Sequence, residues 1–127
     1  METRSFLELL RQGPAAWNGW RHNNPHFVPN FDRADLGGLS IDGANLDDAN
    51  LLEAVLANAS LARASLRRAV LQGTNLRGAN LRSADLSDAD LSGTWHEDPT
   101  MRLSWPDGAH LRDTSLHDTL FARTMLR

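Results

Sequence analysis

The sequence predicts an all-β solenoid, a chain that turns a corner every five residues and stacks its coils in parallel. Three observations point to it. An apolar residue recurs at every fifth position from Phe31 to Leu91. A small residue, mostly Ala, stands two positions before nearly every one. Glycines at 37, 38, 43, 73 and 78 interrupt any helix this stretch would form.

The ladder runs Phe31, Leu36, Ile41, Leu46, Leu51, Leu56, Leu61, Leu66, Leu71, Leu76, Leu81, Leu86 and Leu91 without a slip. On an α-helix a step of five rotates a side chain by about 140°, which smears the leucines around the cylinder. On a flat strand an odd step sends successive leucines to opposite faces. A corner every five residues resolves both conflicts, because each side then points one Leu and one Ala inward. Residues 51–71 taken alone also fit a helix, through Leu52, Val55, Leu56 and Ala59, and the unbroken register decides against it. Parallel coils of this kind stack at about 4.8 Å with backbone hydrogen bonds between them.

Units such as Ala44-Asn45-Leu46-Asp47-Asp48, Ala79-Asn80-Leu81-Arg82-Ser83 and Ala84-Asp85-Leu86-Ser87-Asp88 resemble the A-[DN]-L-x-x unit of the pentapeptide-repeat family. The resemblance covers residues 29–93 firmly and 109–126 more loosely. It implies a right-handed quadrilateral parallel β-helix with four pentads per coil. Four regions follow: an N-terminal helical cap over 1–28, the β-helix over 29–93, an insertion loop over 94–108, and a C-terminal repeat coil over 109–127.

In the first region, Ser5-Phe6-Leu7-Glu8 has the form of a capping box with Gly13 as the helix stop. Pro14 then begins a second short helix through Trp17 and Trp20. Phe6, Leu9, Leu10, Trp17 and Trp20 give this segment enough apolar surface to cover the open end of a stack. Trp17 and Trp20 are alternatively partner anchors, since exposed Trp is favoured at binding hot spots. Trp17-Asn18-Gly19-Trp20-Arg21 resembles a WN-x-WR element that precedes repeats in some bacterial relatives. The insertion keeps the phase, so Leu111, Leu116 and Phe121 resume the core ladder. It either replaces three sides of a coil or loops out and returns. Its Trp95 and Trp105 suit an apolar flap and a binding loop equally. At the far end, either the insertion folds over the last coil or two chains pair end to end as a homodimer.

Composition narrows the function. Of 127 residues, 13 are basic and 16 acidic, for a net charge of -3, and every basic residue is Arg. This balance argues against a nucleic-acid binder. The chain has no Lys and no Cys, so lysine or thiolate nucleophiles, disulfides and thiolate metal sites are excluded. His22 and His26 have a helical metal-pair spacing but flank Pro25, and His96-Glu97-Asp98 are adjacent rather than convergent, so no metal or cofactor is expected. No nucleophile elbow or phosphate loop occurs, and no enzymatic activity is expected. No apolar run approaches the roughly 18 residues of a membrane helix, and no signal peptide is apparent, which leaves the cytoplasm as the expected compartment.

With four pentads per coil, residues twenty apart stack. One outer column reads Asp47, Arg67, Ser87 and its neighbour Asp48, Arg68, Asp88, alternating in charge. Leu52 and Val55 take outward positions about one corner, with Val70 a coil above. The expected function is a non-enzymatic protein–protein interaction or scaffold module with an unidentified protein partner, contacted through Leu52, Val55, Trp95 and Trp105. The alternative is a DNA mimic that binds a type II topoisomerase such as gyrase, as some family members do. Such a mimic needs a dense anionic surface, and Arg67 and Arg68 interrupt the acidic columns.

Overall fold

A computed structural model describes residues 3–91, 96–97 and 103–104. Two helices precede the repeats, α1 over Thr3–Arg11 and α2 over Pro14–Asn23. The first helix is already under way at Ser5, so Ser5 sits inside its first turns and is no capping residue. Gly13, at φ 112, breaks the chain between the two helices, and Pro14 opens the second, where its missing N–H costs nothing.

From Asn30 the chain winds in a four-sided coil. Parallel bridges join residues twenty apart, as in Asn30 to Asn50, Asp35 to Val55, Ser40 to Ser60 and Asn45 to Ser65, and continue to Asp90. Each side contributes one bridge per coil rather than a strand, because the chain leaves the ladder at the next corner. We label the sides by their pentads: side A holds 34–38, 54–58 and 74–78; side B 39–43, 59–63 and 79–83; side C 44–48, 64–68 and 84–88; side D 29–33, 49–53, 69–73 and 89–91. Three backbone bonds join each side to the next coil. On side C they are Leu46 N–H to Ser65 O at 2.7 Å, Asp48 N–H to Arg67 O at 2.8 Å and Ser65 N–H to Ala44 O at 3.0 Å.

The corners explain the five-residue unit. Each apolar residue's carbonyl accepts from the N–H three residues on, as Leu46 does from Ala49 at 3.1 Å. The second residue inside that turn has positive φ while the first does not, which defines a type II turn. Gly38, Gly43, Gly73 and Gly78 occupy this left-handed position, with φ between 69 and 76. The glycines therefore serve the corners themselves. Eight other corners hold a non-glycine residue there, from Glu53 at φ 54 to Asp48 and Asp88 at φ 62.

Asn and Asp just before the apolar residue are also explained. The side-chain oxygen accepts the N–H two residues on, as Asn45 does from Asp47 at 3.1 Å, Asn80 from Arg82 at 3.0 Å and Asp85 from Ser87 at 2.9 Å. Ser60 and Ser65 stand at this position with side chains one atom shorter. There an aspartate of the coil below reaches up instead. Asp42 accepts from Ala62 N–H at 3.0 Å and from the Ser60 hydroxyl, and Asp47 accepts from Arg67 N–H at 2.9 Å and from the Ser65 hydroxyl.

Inside, Phe31, Leu36, Ile41, Leu46, Leu51, Leu56, Leu61, Leu66, Leu71, Leu76, Leu81, Leu86 and Leu91 are all buried with their alanines. Thr74 replaces Ala in this core, and its hydroxyl donates to Leu51 O at 2.6 Å, so the buried polar atom is satisfied. Leu39 fits where other pentads have Ala because it lies on the first coil, with no coil beneath it. Phe6, Leu10 and Trp17 join the same core from the helices. Leu111, Leu116 and Phe121 lie outside the described residues. β1 (His96–Glu97) pairs antiparallel with β2 (Leu103–Ser104).

Candidate interaction surface

The first coil, 30–48, has an underside that no further coil covers. On side C, α2 fills that role with side chains. In the stack, each side's downward-facing groups are one N–H and two carbonyls. Here Asn45 N–H donates to Asn18 Oδ1 at 2.7 Å, Asn45 O accepts from Trp17 Nε1 at 2.7 Å, and Asp47 O accepts from Arg21 Nη2 at 2.8 Å. Three side chains thus stand in for the three backbone groups of a missing pentad. Asn18 Nδ2 adds a bond to Gly43 O at 3.0 Å, and Arg21 Nη1 ties down Phe27 O at 2.6 Å. This is the physical content of the Trp17-Asn18-Gly19-Trp20-Arg21 element. Burial pushes the Arg21 guanidinium down from its ordinary value, opposed by Asp47 and Asp48, and its Nε is buried without a partner.

Trp17 is completely buried, packed edge-on to Phe6 with ring centroids 6.0 Å apart, so it is no partner anchor. Trp20 is half-buried against Phe6 and Phe27. The exposed large apolar residues among those described are Phe27 and Val28, at 43% and 57%. Leu52 and Val55 are half-buried. Val55 stacks between Asp35 and Asn75 on side A, and Val70 stacks between Asn50 and Asp90 on side D. Trp95 and Trp105 lie outside the described residues.

Part of the charge on the outer faces is internally paired. Arg68 meets Asp48 two-pronged at 2.8 and 3.1 Å, which holds the Asp48 carboxyl below its ordinary value and the Arg68 guanidinium above its own. Arg33 meets Glu53 at 2.9 Å and is likewise raised. The columns do not alternate as simple stacked pairs throughout. The Arg67 side chain turns toward Asp85 at 4.0 Å, while Asp47 takes the Arg67 backbone. Hydrogen bonding from Ser87 lowers Asp85. His22 and His26 are both exposed, and no group of metal-ligating side chains forms among the described residues. No described helix is long and apolar enough to cross a membrane.

A backbone ladder wound on a square Leu and Ala core defines a solenoid class whose period is five residues. The family model for pentapeptide repeats matches in eight copies, over residues 30–68 and 59–94. The chain belongs to the pentapeptide-repeat family. Among solved structures it is similar to HetL, a pentapeptide repeat protein involved in heterocyst differentiation regulation from the cyanobacterium Nostoc sp. strain PCC 7120, with 33% identity and a TM-score of 0.59. That match covers 72% of this chain and 36% of HetL, so the chain spans little more than a third of HetL's length. A second pentapeptide repeat protein from Nostoc is 26% identical with a TM-score of 0.62, over 83% of this chain and 72% of the other. A pentapeptide repeat protein of the Arabidopsis thaliana thylakoid lumen, 23% identical over 79% of this chain and 52% of its own, with a TM-score of 0.51, shares the fold. No curated protein matches.

Proposed function

We propose that the chain is a non-enzymatic protein–protein interaction or scaffold module. One observation carries this. The inward positions are filled by Leu and Ala, and the Asn and Asp beside them serve the corners, so the remaining side chains project outward from a rigid lattice at fixed spacing. Such a surface presents a pattern to a partner. The finer architecture proposed with it is a right-handed coil whose core is covered at its first end by α1 and α2. Leu52 and Val55, with Trp95 and Trp105, are the proposed contacts. Pulldowns from the native host with wild type and a Leu52→Asp/Val55→Asp double variant test the patch. Loss of a partner supports it, and equal recovery removes it.

The topoisomerase alternative needs free anionic charge along a duplex-like length. Asp48 is neutralised by Arg68, Glu53 by Arg33, and Asp42 and Asp47 are turned into backbone acceptors. A gyrase supercoiling assay discriminates the two functions, with no inhibition across a wide titration expected.

A further inference from the structure

Among the described residues, the underside of the first coil is sealed on side C and open on the other three sides, of which A and B adjoin. Among the described residues, no hydrogen bond reaches the Asp35 N–H and C=O, the Gly37 C=O, the Ser40 N–H and C=O, or the Asp42 C=O. These are the groups whose side C counterparts Trp17, Asn18 and Arg21 satisfy. Exposure follows the same division. Asp35 and Ser40 are exposed, while Asn45, at the equivalent place on side C, is half-buried.

Charge is uneven along the stack. The first coil carries Asp32, Asp35, Asp42, Asp47 and Asp48 against Arg33 alone. The next, 49–68, carries Glu53 against Arg63, Arg67 and Arg68. The open edge therefore belongs to the acidic coil, with Asp35 on it and Asp32 at the preceding corner. On α1, Arg4 is already engaged with Glu8 at 3.4 Å.

We propose that the lower edge at Ala34–Gly38, continuing to Ser40, docks an extended segment of a partner protein that carries alternating basic side chains. The segment adds a strand beneath side A. Its backbone pairs with the Asp35 N–H, Asp35 C=O and Gly37 C=O, and its Arg or Lys side chains face Asp35 and Asp32. The inference rests on the interaction-module function and names a surface for it distinct from Leu52 and Val55.

The test uses the full chain and a short acetylated peptide of alternating arginine and valine, followed by amide NMR and hydrogen exchange. Two peptides serve as controls, one N-methylated at alternate residues and one with glutamate for arginine. The expected result is movement of the Asp35, Gly37 and Ser40 resonances and at least about tenfold slower exchange of the Asp35 amide, with Asn45 unmoved. The N-methylated and glutamate peptides leave these signals unchanged. Asp35→Asn keeps the side-chain oxygen that accepts from Gly37 at 3.0 Å, as Asn does elsewhere in the chain, and removes the charge. It is expected to weaken the arginine peptide by about threefold, with the remaining affinity falling as salt rises. An unmoved Asp35 amide overturns the proposal, as do equal binding of the N-methylated peptide and self-association of the chain in place of peptide binding. If the edge fails while a partner is still lost on Leu52→Asp/Val55→Asp, the edge is wrong and the interaction module stands.

Discussion

Leu66→Ala probes the stack where it has least freedom to adjust. Leu66 is 1% exposed on side C, with Leu46 one coil below and Leu86 one coil above, both fully buried. Truncation removes three carbons, about 2.4 kcal/mol of transfer free energy at roughly 0.8 kcal/mol per methylene. The cavity adds to this, because its floor and ceiling are pinned. Leu46 N–H bonds Ser65 O at 2.7 Å and Leu66 N–H bonds Asp85 O at 2.7 Å, so the neighbouring coils cannot settle into the gap. A total of about 3–4 kcal/mol is expected, within the range for buried Leu→Ala changes. Arg67→Ala, one residue along and pointing out, is the control and should cost no more than about 1 kcal/mol. Urea unfolding followed by circular dichroism reads both midpoints. Near-equal losses for the two variants would refute the assignment of inside and outside on which the coil rests.

Asn18→Ala strands the Asn45 N–H and the Gly43 carbonyl. It should cost about 1–3 kcal/mol and speed hydrogen exchange at the Asn45 amide, while exchange at Ser65, one coil up, stays slow. Gly78→Ala should destabilise more than Gly43→Ala. Both glycines have positive φ, which strains any side chain by about 1–2 kcal/mol, but a Cβ at 78 runs into Asn58 Oδ1 while one at 43 meets nothing within 4 Å. Chemical denaturation midpoints order the two. Asp48 and Asp85 have folded-state values below their ordinary ones. Their contribution is therefore complete above the unfolded carboxylate value of about 3.9 and lost as pH falls through the lower folded values. The urea midpoint should be flat between about pH 5 and 7 and drop below about pH 4, and Arg68→Ala should lessen that drop.

The coil was legible because burial imposes a period and the period survives in the letters. Five-residue spacing of Leu, with Ala two before, admits one geometry, and the structure carries it from Phe31 to Leu91. The helix from Pro14 was legible too, since Pro at a first position followed by Trp17 and Trp20 is a local signal. The start of α1 was not. Ser5 and Glu8 match a capping pattern, but a residue matching the pattern can equally lie inside a helix that began earlier. The seal on side C was hidden for a different reason. Trp17, Asn18 and Arg21 replace backbone groups of a coil that does not exist, so nothing in the repeat pattern marks them. The role of Asp42 and Asp47 was hidden as well, because the stacked columns suggested charge pairing. The relevant fact is that Ser60 and Ser65 are too short to serve their own turns. That is a compensation between residues twenty apart or nearly so, and it becomes visible only once coils are stacked.

The corners leave two residues, Arg63 and Ser83, unaccounted for by stability. Eight non-glycine residues hold the left-handed position, where a Cβ is crowded by its own carbonyl. Asn58 suits that conformation. Arg33, Asp48, Glu53 and Arg68 are tied to one another in pairs across the stack, which offsets part of the strain. Arg63, at φ 60, has no such compensation: it is exposed and makes no side-chain hydrogen bond or ion pair among the described residues. Replacing it with Asn keeps a residue that tolerates this backbone and avoids the extra chain entropy that Gly adds to the unfolded state. Arg63→Asn should therefore raise stability by about 0.5–1 kcal/mol, read as a higher urea midpoint with an unchanged slope. A residue held against its backbone preference with no internal partner is best explained by what it offers outside. The same variant should then bind any partner that covers side B less tightly. A variant no more stable than wild type would mean that the corner accommodates Arg without strain, and the case for an external role at Arg63 would fall with it.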